Sequence, residues 1–308
     1  MESFRVWLVV GMVSLSLEHV AEGAVDTGTI FFRCYKGASF NDVNIKQIGN
    51  LIPQLNLREQ TVFHIHGYTE NVERESVTII VRAYLNYTTK NIIAIDYRHI
   101  ADNNNYIADV VLVNEVGSAI ANALNTLVAT GLNPNGIHII GHSLGGQLAA
   151  SVGSHTNFIV PRITGLDPAG PLYYTGRYLK AGDAAFVDII HTDAGVLGQI
   201  YNSGDVDFLP NAGHRPQPGC SILATLQDPD ALCSHHRSWR YYAESVGNPH
   251  GFLADPCLNV GLLLCDRSNV VPMGYATPSN ARGKYYLYTN SHYPFDLGLN
   301  GLAQFLPK

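Results

Sequence analysis

One short segment combines a serine with glycines at the spacing of a known nucleophile turn. Residues 141–145 read GHSLG, which is the G-x-S-x-G pattern. The preceding GIHII is typical of a buried strand, and the following GQLAASV is compatible with a helix. Glycines flank the serine because side chains there would clash in so sharp a turn. The pattern predicts that Ser143 is a nucleophile placed at a helix N-terminus, where free N–H groups and the positive dipole end lie close to it.

An activated serine needs a base, and the base needs an acid to orient it. In chains with this strand-turn-helix pattern the acid follows the serine, at the end of a strand. Asp167 ends the next apolar run, ITGLD, and Asp193 ends the one after it, IIHTD. The first strand after the nucleophile is the expected carrier, so Asp167 is favoured and Asp193 is the alternative.

The base is harder to select, because the chain has 13 histidines. It should follow the acid on a late loop. His235 lies in CSHHRSW, just before a predicted helix, and a nearby cysteine would hold the loop. His236 is adjacent, and the residues alone do not separate the two.

Acyl transfer also needs two backbone N–H donors for the oxyanion. The amide of Leu144, directly after the nucleophile, is the first candidate. The second is the amide of Tyr68, because the apolar run TVFHI leads into His66-Gly67-Tyr68, an HG-type pattern. A simple turn at His66-Gly67 is the alternative interpretation.

The elements that must position these residues alternate along the chain. Five apolar runs predict strands, and a segment with apolar residues at three- and four-residue steps predicts a long helix between the second run and the third. The strand runs are 61–65, 91–97, 136–140, one within 159–166, and 184–190, and the helix contains Val113, Val116, Ile120, Ala123, Leu124 and Leu127. This order predicts an α/β fold with a mostly parallel central sheet and helices on both faces. One domain over residues 24–308 is the simplest organisation.

Composition and the N-terminal segment indicate the compartment. The 308 residues are 46% hydrophobic and 14% charged, with a net charge of −6 and no block of basic residues, which argues against nucleic acid as a partner. Residues 1–23 have the layout of a signal peptide cleaved after Gly23. An uncleaved anchor is disfavoured because the apolar run at 6–17 is short for a bilayer. The chain is therefore predicted to be secreted and extracellular.

Secretion makes disulfides the expected state of close cysteine pairs. Cys220 is predicted to pair with Cys233, and Cys257 with Cys265, which leaves Cys34 over. Asn86 begins the sequon Asn-Tyr-Thr and is a predicted glycosylation site.

The sequence resembles the animal pancreatic-lipase family across most of the chain. The matching segments are FHIHGY, IIGHSLGGQLA, ITGLDPAGP, FVDIIHTD, DFLPNAG, PGC and CSHHRSWRYY. The resemblance implies an α/β-hydrolase fold and hydrolysis of lipid esters. It implies Asp167 as the acid, His235 as the base because it is two residues after the lid-closing cysteine, and Tyr68 as an oxyanion donor.

Departures from the family pattern bear on the substrate. The family's lid lies between two cysteines, here Cys220 and Cys233, and residues 221–232 form a lid about half as long as in triacylglycerol lipases. The loop between HTD and DFLPN is also shorter. Both features resemble the phospholipase A1 branch, including its insect members. The apolar face of the lid contains Ile222, Leu223, Leu226 and Leu232.

The resemblance also sets expectations about partners and metals. A C-terminal β-sandwich domain is expected to be missing, and no colipase is expected. Asp183 fits one ligand position of the family's calcium site, but Lys180 stands where a carboxylate is expected. No metal and no cofactor are therefore predicted.

The leading hypothesis is a phospholipase A1-type hydrolase that contacts the lipid interface transiently. Phospholipid is the first substrate predicted, and an acylglycerol or galactolipid the second. A non-catalytic lipid-binding or yolk protein is disfavoured because such relatives lose the nucleophile, whereas Ser143, Asp167 and His235 are all present. A carboxylesterase for small soluble esters is the remaining alternative.

Overall fold

A computed structural model of the chain describes residues 26–102, 105–173, 177–221, 228–257 and 265–302. The predicted signal peptide lies outside these residues. Within them, eleven strands form one sheet in the order β10-β9-β11-β8-β7-β6-β5-β3-β4-β1-β2. The strands are β1 (Phe31–Lys36), β2 (Ser39–Asn44), β3 (Thr61–Ile65), β4 (Asn91–Asp96), β5 (Ile137–His142), β6 (Arg162–Leu166), β7 (Val187–Ile190), β8 (Val206–Pro210), β9 (Leu253–Pro256), β10 (Val271–Pro272) and β11 (Gly283–Leu287).

The middle of the sheet is parallel and its two ends are antiparallel. Strands β4, β3, β5, β6, β7, β8 and β11 pair in parallel register. At one end β1 pairs antiparallel with β2 and β4, and at the other β9 pairs antiparallel with β10 and β11. The prediction of a mostly parallel sheet is confirmed.

Helices cover both faces of this sheet. They are α1 (Glu75–Tyr87), the one-turn α2 (Arg98–Ala101), α3 (Tyr106–Ala129), α4 (Leu144–His155) and α5 (Cys233–Gly247). One hydrophobic core contains residues of α3 and α4, and a second contains residues of α1 and α5. The central strands separate the two cores.

Continuous apolar strands follow from this layering, because both strand faces are buried. In β3, Phe63 and Ile65 belong to the core with α3 and α4, whereas Val62 belongs to the core with α1 and α5. In β4, Ile93 and Ile92 divide in the same way. Alternation of side chains along a strand therefore serves two cores at once.

Helix α3 confirms the long helix predicted from the apolar spacing. Its N-terminus is capped by the Asn105 side chain, which accepts the amide of Ala108 at 3.1 Å. Its length and mean hydropathy alone would suffice to cross a membrane. It instead packs closely against α4, since a Cβ on Gly117 would lie 2.2 Å from Ser151 Oγ. Glycine at 117 permits this close helix contact.

The parallel strands bring their carboxyl ends to one edge of the sheet. Gly67 follows β3, Ser143 follows β5, Asp167 follows β6 and Asp193 follows β7. Ligands of open parallel sheets bind at such an edge. The candidate site is built from these four connections and from the start of α5.

Candidate active site

Ser143 occupies a strained turn between β5 and α4. Its φ is 53° and its ψ is −121°, a conformation that L-residues rarely adopt. A Cβ on Gly141 would lie 2.2 Å from Gly145 O, and one on Gly145 would lie 2.3 Å from Ile65 O. Both glycines are therefore required by close backbone contacts, as the motif predicted.

The turn is fixed by backbone hydrogen bonds to the neighbouring strand connection. The amide of Ser143 donates to Leu166 O at 3.1 Å, and Ser143 O accepts the amide of Ala169 at 3.0 Å. The two partner residues, Leu166 and Ala169, lie on either side of Asp167 in the chain. The serine and the aspartate are thus held in a fixed relation by main-chain contacts.

Asp167 and His235 form a buried hydrogen-bonded pair. His235 Nδ1 lies 2.6 Å from Asp167 Oδ2. The other carboxylate oxygen, Oδ1, accepts the amides of Thr192 at 2.8 Å and Asp193 at 3.1 Å. Asp167 is fully buried. With Nδ1 committed to the carboxylate, Nε2 of His235 is left to accept a proton.

Burial and charge act in opposite directions on the pKa of His235. Burial lowers it, but the hydrogen bond to Asp167 and the carboxylate charges of Asp167, Asp193 and Glu70 outweigh burial, so that the pKa is raised above 6.5. The imidazolium form is therefore stabilised in place, as a base that accepts a proton requires.

His236 differs from its neighbour in charge and contacts. It lines the same cavity, but its ring packs against Trp239 at 5.3 Å. Burial and the adjacent histidines His142 and His235 lower its pKa to about 3. The structure thus pairs His235, and not His236, with the buried carboxylate. His235 lies in the first turn of α5, which begins at Cys233, rather than on a loop before the helix.

Asp193, the alternative acid, is engaged elsewhere. Arg215 donates to both of its carboxylate oxygens from Nε and Nη2. Asp167, Asp193 and His235 place ligand-type atoms within 4.8 Å of one another, a spacing that a metal ion could accept. Each of these groups is already hydrogen-bonded, so the arrangement fits a charge network better than a metal centre.

The two predicted oxyanion donors flank Ser143. Leu144 is the first residue of α4, where an amide has no carbonyl one turn earlier in the helix. On the other side, a Cβ on Gly67 would lie 3.0 Å from Ser143 Cβ, so the loop carrying Tyr68 touches the nucleophile turn. The entry to this loop is fixed by Tyr97, whose hydroxyl donates to His66 O at 2.8 Å.

These residues open onto a cavity of about 540 Å³. Ser143 and His235 both line it, and so does Gly67. Its apolar and aromatic lining residues are Tyr68, Tyr106, Ala169, Pro171, Leu197 and Leu232, and its other polar or charged lining residues are Thr69, Glu70, Arg74, His142 and His236. A larger cavity of about 880 Å³ lies between α1, α5 and residues 291–296, and Ser143, Asp167 and His235 are not among its lining residues.

Both predicted disulfides are present. Cys220 bonds Cys233, and Cys257 bonds Cys265, while Cys34 is a free, buried thiol. The first disulfide closes the predicted lid. Leu232 is 45% exposed and borders the cavity. The other predicted lid residues, Ile222, Leu223 and Leu226, lie outside the described residues.

Two further predicted positions have clear surroundings. Asn86 is exposed near the end of α1, and its glycosylation stays a prediction. Asp183 accepts from Lys180 Nζ at 3.3 Å and from Arg177 Nη2 at 3.2 Å. Two cationic side chains therefore occupy the carboxylate at the position where the family resemblance suggested a calcium ligand.

Sequence reasoning missed Glu70, His142 and Arg215. Glu70 contacts His142 across 72 positions of the chain, and Arg215 contacts Asp193 across 22. No local spacing signals such pairs. The only hint is that Glu70 is an acidic residue close to the end of a buried strand.

Comparison with known proteins shows which proteins are similar to this chain. Pancreatic triacylglycerol lipase of Oryctolagus cuniculus is 36% identical over 220 residues, which cover 64% of this chain and 47% of that protein. Pancreatic lipase-related protein 2 of Myocastor coypus is 36% identical over 223 residues, covering 66% and 47%. The chain therefore spans about half the length of the curated relatives it matches.

Solved structures of α/β hydrolases have only low similarity to this chain. A thermophilic esterase from Thermogutta terrifontis matches with a TM-score of 0.38 at 15% identity, over 57% of this chain and 72% of that one. The sequence match is far more specific. The model of the family described as Lipase matches residues 30–295, so the chain belongs to the Lipase family.

Proposed function

We propose that this protein is a secreted hydrolase of lipid carboxylic esters, of the phospholipase A1 type. The observation that carries the proposal is the buried His235–Asp167 pair at 2.6 Å, beside a strained serine, in an apolar-walled cavity. Membership of the Lipase family supports ester hydrolysis as the reaction.

The reaction follows from the positions of the groups. Ser143 Oγ attacks the ester carbonyl while His235 Nε2 takes its proton, and the oxyanion accepts the amides of Tyr68 and Leu144. The tetrahedral intermediate collapses as His235 returns the proton to the leaving alcohol. Water then attacks the acyl-enzyme with His235 again as base, and the free fatty acid leaves.

The choice of phospholipid rests on the lid. Residues 221–232 between Cys220 and Cys233 are too few to form a long amphipathic cover. A shorter lid buries less apolar surface over the cavity and leaves more room for a polar head group. No colipase is included in the proposal, and contact with the lipid interface is transient.

Secretion is supported by two separate features. The chain has two disulfides, which persist in oxidising compartments. Residues 1–23 have the charge and hydropathy pattern of a signal peptide.

Triacylglycerol hydrolysis is the second candidate, because pancreatic triacylglycerol lipases are among the relatives at 36% identity. The discriminating experiment measures fatty acid released by purified protein from phosphatidylcholine and from triolein, with Ser143→Ala as the inactive control. Release from the sn-1 position of phosphatidylcholine is expected. Release from triolein alone would reject the phospholipase proposal.

A purely lipid-binding role is tested separately. Ser143 is expected to react with a fluorophosphonate probe in folded protein, because the pair beside it activates the hydroxyl. The Ser143→Ala variant should not be labelled. An unlabelled wild-type protein that still binds lipid vesicles would favour the binding role.

A further inference from the structure

Glu70 is a largely buried carboxylate at the candidate site that the proposed reaction does not use. Its side chain is 14% exposed, and it lines the same cavity as Ser143. A buried charge is tolerated only when it is paired and hydrogen-bonded. Its partners therefore indicate what the carboxylate does.

One oxygen of Glu70 joins the loop after β3 to the last residue of β5. Glu70 Oε2 accepts the amide of Gly67 at 2.7 Å and lies 3.0 Å from His142 Nδ1. Gly67 directly precedes Tyr68, and His142 directly precedes Ser143. The same atom therefore ties the loop after β3 to the end of β5.

The loop after β3 and the turn at Ser143 are in contact at this point. A Cβ on Gly67 would lie 3.0 Å from Ser143 Cβ, 3.1 Å from Glu70 Oε2 and 3.3 Å from His142 Nδ1. The carboxylate fills the corner between them. A shift of Glu70 would be passed to the neighbouring Tyr68 amide, because little free space remains.

The Glu70 carboxylate is also close to the predicted base. Burial opposes ionisation of Glu70, but His142 and the Gly67 amide outweigh burial and hold the pKa of Glu70 well below its usual range. The ring of His142 packs against that of His235 with centroids 4.7 Å apart. The negative charge of Glu70 therefore contributes to the raised pKa of His235.

We propose that Glu70 is a positioning residue that fixes the Tyr68 oxyanion donor relative to Ser143. It does so by binding Gly67 N–H and His142 with one oxygen. This inference rests on the proposed ester hydrolysis by Ser143. Since the oxyanion forms only after attack, a displaced donor weakens the transition state and not substrate binding.

The first test is kinetic. Glu70→Ala is expected to lower kcat by about 10²-fold, the scale of a lost oxyanion donor, with KM nearly unchanged. Glu70→Gln keeps a carbonyl acceptor for both donors and should recover most of kcat. Glu75→Gln removes an exposed carboxylate that pairs with Arg240 and serves as the matched control. A Glu70→Ala variant with wild-type kcat, or with its loss confined to KM, would overturn the proposal.

The pH profile separates positioning from bulk structural damage. The groups that face His235 are Asp167, Asp193, Glu70, His142 and His236. Glu70→Gln removes one negative charge from this set, so the acid limb of kcat/KM should move to lower pH. A merely structural role for Glu70 would reduce rates without moving that limb.

A third test, which measures hydrogen exchange, does not require catalytic turnover. In a Ser143→Ala background, amide hydrogen exchange of residues 66–70 should accelerate in Glu70→Ala and remain slow in Glu70→Gln. Equal exchange rates in both variants would overturn the positioning role of Glu70. If the wild type hydrolyses no ester, the proposed function fails while this measurement still decides the role of Glu70. If Glu70→Ala does not fold, Glu70→Asp replaces it, because its oxygen is withdrawn by one methylene and faster exchange is again expected.

Discussion

The predicted nucleophile and the predicted acid both hold backbone conformations that L-residues normally avoid. Ser143 has φ 53° and Asp167 has φ 44°. Each such conformation costs about 1–3 kcal/mol and persists only where its surroundings impose it. Here the Asp167 amide donates to Ile190 O at 2.8 Å, and the Ser143 amide donates to Leu166 O. Hydrogen bonds to strand residues therefore hold the unusual backbone conformations that orient both side chains.

The adjacent histidines provide a matched pair of variants. His235→Gln should lower kcat/KM by about 10³-fold or more, because the general base is lost. His236→Gln should change it by less than about tenfold, since His236 does not contact Asp167. Steady-state rates on phosphatidylcholine check both. A larger loss in His236→Gln would reverse the assignment of the base.

The raised pKa of His235 predicts the pH dependence. The base must be neutral to accept the Ser143 proton, so activity falls as the pH drops through its pKa. Because Asp167 raises that pKa above 6.5, the acid limb of kcat/KM should lie above pH 6.5. Rates measured from pH 4 to 9 at constant ionic strength test this. A limb below that of free imidazole would contradict the role of the carboxylate.

At the scale of elements, apolar runs predict the central strands because burial on both faces leaves no polar positions. The run at Thr61–Ile65 matches β3 from end to end, whereas β7 begins at Val187, three residues later than predicted. The strands that were not predicted are β1, β2, β8, β9, β10 and β11. The edge strands β2 and β10 are mostly exposed or half-buried and carry no continuous apolar pattern, whereas β8 is buried but its apolar run is interrupted by Asp207.

Position relative to the central strands also explains which residues of the candidate site could be predicted from the sequence. Ser143 and Asp167 follow strands, so their position in the chain predicts their position in the fold. His235 and His236 are adjacent, and only the packing of α5 against the sheet decides which ring faces the carboxylate. Glu70 and His142 meet through the order of β3 and β5, which no local pattern records.

Arg215 connects Asp193 to the end of the predicted lid segment. It pairs with the fully buried Asp193, and its Nη2 also donates to Ala231 O at 3.1 Å, close to the lid-closing Cys233. Arg215→Met would leave the Asp193 charge uncompensated and should destabilise the protein by about 3 kcal/mol. Urea unfolding measures the loss.

A double variant identifies the cause of the stability loss predicted for Arg215→Met. Adding Asp193→Asn to Arg215→Met removes the orphaned charge, so it should recover about 1–2 kcal/mol of that loss. Strict additivity of the two changes would show that the ion pair contributes nothing and that Arg215 acts through packing alone.

At the scale of the whole molecule, net charge is expected to influence which lipid surface a hydrolase of the proposed kind would approach. The chain carries a net charge of −6 and has a pI near 6.1. Loss of residues 1–23 would leave it acidic, because that segment contributes few charges. An acidic protein is repelled by anionic lipid, and this long-range term weakens as salt shortens the Debye length from about 8 Å at 0.15 M to about 3 Å at 1 M.

Vesicle binding of the Ser143→Ala variant tests this without turnover. At low ionic strength, partitioning onto phosphatidylcholine vesicles should exceed partitioning onto vesicles that contain phosphatidylglycerol, and the difference should vanish near 1 M salt. Apolar contact through the half-exposed Leu232 depends little on salt, so binding to phosphatidylcholine should persist at all salt concentrations. Stronger binding to the anionic vesicles at low salt would mean that a local cationic surface, and not the net charge, governs the approach to lipid.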